Sequence, residues 1–154
     1  MKARAFVSTL LFCLLAASVS LAADGFMGTW KLNEAQSKIS PGMAKNSTVI
    51  YEAAGESIKV TIDGVDADGN STHNEWTGKY DGADYAVTGD PASDSRAVTK
   101  VDDHTLAFNV KKAGKVTMTG RIVLSEDGKT RTVTTTGTDS KGAQVSGTAV
   151  YDKE

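Results

Sequence analysis

The side chains with the clearest chemistry in this chain are its two histidines and the acidic residues near them. His73 and Glu75 are two residues apart on a predicted strand, so their side chains share one face at a separation of about 6–7 Å. A zinc site needs three or four ligands. The only other histidine, His104, follows Asp102 and Asp103 in a predicted turn. Nothing in this spacing brings the residues together, and we expect no metal site.

A second acidic cluster partly matches the template of a calcium-binding loop. Asp66, Asp68, Gly69 and Glu75 fall on positions 3, 5, 6 and 12 of that template. Position 1 is Gly64, which has no side-chain oxygen, and the flanking segments predict strands where the template requires helices. A polar hairpin loop accounts for these residues, so we expect neither calcium nor any other cofactor.

Residue patterns typical of catalysis are missing from the sequence. It contains no Gly-x-Ser-x-Gly motif, and its single cysteine, Cys13, lies in an apolar segment near the N-terminus. Paired carboxylates occur only in predicted loops, at 102–103 and 126–127, where solvation explains them. We therefore predict that the protein is not an enzyme.

The N-terminal residues have the pattern of a secretory signal peptide. Lys2 and Arg4 precede the apolar run Ala5–Val19, and Ser20–Ala22 supplies the small residues of a cleavage site. This predicts a signal peptide over residues 1–22, one domain over 23–154, and export to the periplasm or the extracellular space. The apolar run is too short to span a bilayer comfortably, so no membrane insertion is expected after cleavage.

The remaining chain has a mildly acidic composition. Removing Lys2 and Arg4 leaves 15 basic and 19 acidic residues, a net charge of −4. Such a charge does not favour nucleic acid or anionic membranes as partners. Residues 23–154 also contain no cysteine, so the domain must be held together by its core without disulfides.

The elements that must position any site are predicted to be short antiparallel strands. Apolar and polar residues alternate with period two, as at Ile58, Val60 and Ile62, which indicates a sheet with one buried face. Glycines that follow turn-forming residues predict positive φ at seven positions: Gly55, Gly64, Gly69, Gly82, Gly114, Gly128 and Gly142. These signals predict a single helical turn near 33–38 and ten strands, at about 28–33, 47–53, 57–63, 72–79, 84–88, 95–101, 104–111, 115–124, 130–138 and 144–151.

The first predicted strand carries the most specific motif. Gly28-Thr29-Trp30-Lys31-Leu32 resembles the first strand of the calycins, which include lipocalins and fatty-acid-binding proteins. In that family the tryptophan closes one end of the barrel, a role the resemblance assigns to Trp30. The chain also resembles small secreted lipocalin-like proteins of Gram-negative bacteria, through this motif and through Tyr80–Tyr85, Thr88–Pro91 and Asp127–Thr130.

The resemblance implies an all-β fold, an antiparallel up-and-down meander barrel of about 8–10 strands, closed or incompletely closed. It implies a function as well, the binding of a small apolar molecule inside the barrel. The candidate cavity residues are the predicted inward side chains Trp30, Ile58, Val60, Ile62, Trp76, Leu106, Phe108, Val110, Val116, Met118, Ile122 and Arg131.

Departures from the family bear on the kind of ligand. The Arg-x-Tyr carboxylate clamp of fatty-acid-binding proteins is absent, because Ala149 precedes Tyr151 at that spacing, and residues 34–46 are too few for the two-helix lid. This predicts a preference for neutral or weakly polar ligands. Of the two arginines considered, Arg131 lies on the side of Val133 and is the better inward candidate, whereas Arg121 lies opposite the Met118–Ile122 face.

The alternative is a barrel filled by its own side chains. Strands of five to eight residues make a shallow barrel, and about eight strands can be filled without a cavity. Such a protein would act as a protein-interaction or envelope-associated structural module, with an unidentified partner met through loops such as 81–94. The two hypotheses differ in whether the interior is hollow.

Overall fold

The computed structural model describes residues 24–154, and the signal peptide predicted for residues 1–22 lies outside the described residues. The described chain is almost entirely β-structure, with one 3-10 turn at Glu34–Gln36. The strands are β1 Gly28–Leu32, β2 Lys38–Ile39, β3 Lys45–Ala54, β4 Ser57–Val65, β5 Ser71–Gly78, β6 Asp81–Thr88, β7 Ser95–Asp102, β8 Thr105–Lys112, β9 Lys115–Leu124, β10 Thr130–Thr138 and β11 Gln144–Lys153. Residues 24–154 contain no helix with the length and hydropathy needed to span a bilayer.

The sheet closes into a barrel of ten antiparallel strands. The strand order is β1-β3-β4-β5-β6-β7-β8-β9-β10-β11, and β1 pairs with β11 through Trp30 opposite Lys153 and Leu32 opposite Tyr151. Neighbours in the barrel are neighbours along the chain, apart from β2, so the topology is up-and-down. The predicted fold class is confirmed.

Two places in the wall depart from a regular barrel. The short β2 continues along the same edge of β11 as β1, pairing Lys38 with Thr148. Its two residues are too few to give a period-two signal, which is why the sequence did not predict it. Strands β5 and β6 pair only at Glu75 opposite Thr88 and Trp76 opposite Val87, so this is the weakest seam of the closed wall.

The predicted strands and the helical turn are all present, but the positive φ predicted for Gly64 is wrong. Gly64 lies inside β4 with an ordinary φ, and a Cβ there would sit 2.1 Å from the carbonyl oxygen of Lys45. The glycine therefore permits a close approach at the bulge in β3 and does not form a turn. Gly82 does have positive φ, at 79°, but it lies at a bulge within β6.

The interior is divided into two halves along the barrel axis. We call "base" the end that holds the β3–β4, β5–β6, β7–β8 and β9–β10 turns, and "mouth" the opposite end. Side chains of the base half are packed together and excluded from solvent: Phe26, Trp30, Val49, Tyr51, Ile58, Val60, Trp76, Val98, Leu106, Ile122, Leu124 and Tyr151. In the mouth half, Phe108, Val110 and Met118 are only partly buried.

Candidate ligand-binding site

Arg131 is enclosed by aromatic rings at the base. It is the second residue of β10, is 2% exposed, and pairs in register with Tyr151. Its Cζ lies 4.9 Å from the ring centroid of Trp30, 4.9 Å from that of Tyr51 and 4.8 Å from that of Tyr151. Nε and Nη1 have no hydrogen-bond partner among residues 24–154. The negative faces of three rings offset part of the cost of burying this cation.

Hydrogen bonds complete the seal at the base. The indole Nε1 of Trp30 donates to the carbonyl of Phe26 at 2.8 Å, which holds Phe26 across the end of the barrel. The hydroxyl of Tyr151 donates to the carbonyl of Asn46 at 3.0 Å. Burial raises the pKa of Tyr151 to about 12, with the nearby charge of Arg131 acting against that rise. No ligand can enter at this end without disrupting the core.

At the mouth, long side chains lie flat against the wall because inward-facing glycines make room for them. The ring of Phe108 covers Gly120, where an added Cβ would fall 2.4 Å from Cζ. Met118 covers Gly137 in the same way, at 2.7 Å from Cγ. These two side chains therefore lie along the wall and do not extend toward the barrel axis.

Arg96 points into the barrel from β7. It pairs with Tyr85 on one side and with Val110 on the other, and Val110 faces inward. The Arg96 guanidinium makes no hydrogen bond within 3.5 Å and no ion pair within 4.0 Å with any other residue of the described chain. Burial lowers the pKa of Arg96, while the Tyr51 phenol and the Asp90 carboxylate act in the opposite direction.

Asn74 is a second inward polar group in the mouth half. It lies on β5 opposite Ile62, is 8% exposed, and its Oδ1 has no hydrogen-bond partner among residues 24–154. The backbone of Gly89 approaches closely above it, since a Cβ at Gly89 would lie 3.3 Å from the Asn74 Cα. Asn74 therefore lies beside the start of the β6–β7 loop, where β5 adjoins the end of β6.

Most of the candidate cavity residues lie in the packed base. The structure buries Trp30, Ile58, Val60, Ile62, Trp76, Leu106, Ile122 and Arg131. Phe108, Val110 and Met118 are partly exposed on the inner wall of the mouth half, and Val116 is 43% exposed at its rim. Arg121 is exposed on the outer surface, as its alternation with Ile122 predicted.

Sequence reasoning missed Arg96 and Asn74 as interior groups. The outward face of β7 carries Ala97 and Val101, so alternation there gives no clear inward set. For Asn74 a signal was available, because it shares its face of β5 with the inward Trp76.

The candidate metal ligands lie on the outer face of the barrel. His73 Nδ1 is 2.6 Å from Asp63 Oδ1, and His73 Nε2 is 3.9 Å from Glu75 Oε1. Glu75 is bound instead by Lys59 at 2.7 Å, which holds the pKa of Glu75 below its usual value. Within residues 24–154, no set of three or more ligating side chains is placed to hold a metal ion.

The calcium-like segment forms the β4–β5 loop. Asp66 Oδ1 accepts hydrogen bonds from the backbone N–H of Asp68 at 2.9 Å and of Asn70 at 2.8 Å. Hydrogen bonds from the Asn70 side chain and backbone hold the pKa of Asp66 below its usual value. The carboxylate is thus used to shape the turn.

Two shallow grooves lie on the outside of the barrel, on either side of β10. Their volumes are about 390 Å³ and about 470 Å³. The outward side chains that line them are mostly hydroxyl-bearing: Thr99, Asn109, Thr119, Arg121, Thr134 and Thr136 for the first, and Lys38, Ser40, Thr134, Thr136, Ser146 and Thr148 for the second.

Comparison with known proteins gives matches among solved structures only. No protein-family model matches the chain, and a search of curated proteins finds no match. The chain is similar to EF1p2_mFAP2b bound to DFHBI, with 12% identity over 86% of this chain and 97% of that chain and a TM-score of 0.47. It is also similar to a redesigned β-barrel, mFAP1, bound to DFHBI, with 17% identity over 83% and 96% and a TM-score of 0.45. The fold assignment itself rests on the strand pairing of this chain.

Proposed function

We propose that this protein binds a small, largely apolar molecule in the mouth half of its barrel and performs no catalysis. One observation carries the proposal. Phe108, Val110 and Met118 face the inside of a closed barrel and yet remain partly exposed to solvent. Apolar side chains that face inward and still contact water line a recess, and an apolar recess is the usual form of a small-molecule site.

Binding would be driven by removal of apolar surface from water. Each Å² of apolar surface buried contributes about 25 cal/mol, so a ligand covering a few residues gains several kcal/mol. The sealed base supports a single-entrance site, because Phe26 and Trp30 are fully buried. The ligand would enter and leave at the mouth.

The test uses N-phenyl-1-naphthylamine, a neutral dye that fluoresces on entering an apolar site. Wild type should bind it with saturable, micromolar affinity. Val110→Trp places a large ring in the recess and should weaken binding at least about tenfold. Asn109→Trp is the matched control, because Asn109 is exposed on the outer face of the same strand and should leave binding unchanged. Equal effects of the two variants, or no binding by wild type, would refute the proposal.

We propose further that the protein acts outside the cytoplasm. The support is sequence-based: the basic, apolar and small-residue segments of residues 1–22, and the absence of cysteine from 23–154. Intact mass of the protein from the exported fraction tests this, with an N-terminus at or near Ala23 as the expected result. A mass that retains residues 1–22 would contradict cleavage.

A second candidate function acts through the outer wall. No aspartate or glutamate occurs in 105–124, 130–138 or 144–151, although the chain has 19 acidic residues. The two hydroxyl-lined grooves lie on this acid-free surface. A filled barrel could use it to contact a protein or an envelope component. Thr134→Glu should then abolish cosedimentation with isolated cell envelopes, whereas Thr61→Glu on β4 should not.

A further inference from the structure

We propose that Arg96 receives the anionic head group of the ligand, so that the protein selects amphipathic molecules carrying one negative charge. The inference rests on the proposed function and specifies its ligand class. It reverses the preference for neutral ligands expected from the missing carboxylate clamp, because Arg96 lies on β7 and the clamp positions lie on β11.

No side chain of residues 24–154 makes a hydrogen bond or an ion pair with the Arg96 guanidinium, so its charge has no partner in contact with it there. The other arginine inside the described barrel, Arg131, is held by three rings within 5 Å. Cations on the surface, such as Lys59 and Lys111, have carboxylates at 2.7 Å and 2.6 Å. Arg96 has neither arrangement. Arg96 is partly buried, so its guanidinium has lost part of its hydration without gaining a protein partner, and an anion that binds it recovers that cost.

The strand pairing of Arg96 fixes where its side chain enters the barrel. Arg96 lies opposite Val110, on the inner wall of the mouth half, and its charge interacts electrostatically with the phenol of Tyr51 on β3, without a hydrogen bond between them. Tyr51 is 7% exposed and belongs to the packed core of the base. Arg96 thus lies between the packed base and the proposed recess. A ligand that enters from the mouth with its head group leading would reach Arg96 at the inner end of the recess.

Two inward side chains of β5, Trp76 and Asn74, add polar groups to the inner wall. The Trp76 indole donates to the Arg96 carbonyl at 3.1 Å, which fixes the backbone beneath the side chain. The amide of Asn74, with an oxygen that has no partner in residues 24–154, lies two residues from Trp76 on the same inward face of β5. An amide on the same inner wall can add hydrogen bonds to a carboxylate or sulfonate head group held by a guanidinium.

The nearby acid limits how much negative charge the site accepts. The Asp90 carboxylate acts on the Arg96 charge from beyond ion-pair distance. It is already bound by the Ser93 hydroxyl at 2.5 Å and by the Ala92 N–H at 2.8 Å. One guanidinium neutralises one negative charge, so a head group with one charge is matched by Arg96, whereas the second charge of a dianion would stay unpaired near Asp90. The apolar body would extend toward the mouth along Phe108 and Met118.

The experiment compares two dyes with the same aromatic body. 1-Anilinonaphthalene-8-sulfonate carries one negative charge, and N-phenyl-1-naphthylamine carries none. Wild type should bind the sulfonate more tightly. Arg96→Gln should weaken sulfonate binding at least about tenfold, the usual effect of losing a charge-assisted hydrogen bond, and change binding of the neutral dye less than about threefold. Arg121→Gln, which removes an exposed arginine on the outer face, is the matched control and should change neither.

A second measurement needs only the wild-type chain, in case Arg96→Gln fails to fold. Decanoate should displace the bound neutral dye at a concentration at least about tenfold below that required for methyl decanoate. Neutral-dye binding with no preference for decanoate, or sulfonate binding unaffected by Arg96→Gln, would overturn this inference and leave the proposed function standing. Failure of wild type to bind either dye would overturn both.

Discussion

Replacing Trp30 by alanine should remove a large part of the stability of this domain. Trp30 is fully buried at the base, and truncating such a ring in a core costs about 3–5 kcal/mol. The loss of two further interactions raises the expected decrease in the free energy of unfolding to the top of that range or beyond it. The indole no longer donates to the Phe26 carbonyl, a bond worth about 1 kcal/mol. Arg131 also loses one of its three rings, worth up to about 2 kcal/mol at a desolvated site.

We therefore expect Trp30→Ala to lower the free energy of unfolding by about 4–6 kcal/mol, out of the 5–15 kcal/mol typical of a domain. Urea unfolding followed by far-ultraviolet circular dichroism measures this without relying on tryptophan fluorescence. Trp30→Phe keeps a ring over Arg131 and loses the indole N–H, so it should cost only about 1–2 kcal/mol.

A double-mutant cycle separates the cation–π contribution from simple loss of packing. In an Arg131→Met background, which removes the charge and keeps an apolar chain, Trp30→Ala should cost less by about 1–2 kcal/mol. The reasoning is refuted if Trp30→Ala costs under about 1 kcal/mol, the range of surface substitutions. It is refuted in part if the cost is the same in both backgrounds, since Arg131 would then not depend on the ring.

Two more predictions concern the solution conditions. Burial raises the pKa of Tyr151 from 10.0 to about 12, so the stability that the neutral phenol contributes is fully present below pH 10 and is lost as the pH rises toward 12. Between these pH values the free energy of unfolding should fall by up to about 1.4 kcal/mol per pH unit. Urea unfolding at several pH values measures this slope, and Tyr151→Phe should reduce it. Millimolar calcium or zinc should leave the melting temperature unchanged, since Asp66 is occupied by the β4–β5 loop; a rise in calcium that EDTA reverses would contradict this.

The fold could be predicted because its signals are local. Alternation such as Ile58, Val60 and Ile62 places one face of each strand in the core, and hairpin glycines at positions such as Gly114 and Gly128 set the turns. A chain made only of such hairpins has few ways to bury both sheet edges other than closing. What escaped prediction depends on contacts between distant residues. The role of Gly64 comes from the Lys45 carbonyl on a neighbouring strand, and this approach leaves no local signal in the sequence.

The candidate site was harder to predict for the same reason. The alternation of residues along β10 placed Arg131 on the inward side. Only the assembled base shows that the rings of Trp30, Tyr51 and Tyr151 enclose Arg131 and so separate it from the ligand site. Arg96 is an interior charge without such an enclosure. It lies on β7, where the apolar and polar residues do not alternate clearly enough to predict which side chains face inward. A cation that faces the inside of a barrel can be stabilised in two ways. It can be surrounded permanently by aromatic rings, or it can bind an anion that enters from the solvent. The base of this barrel uses the first, and the position of Arg96 at the boundary of the recess is suited to the second.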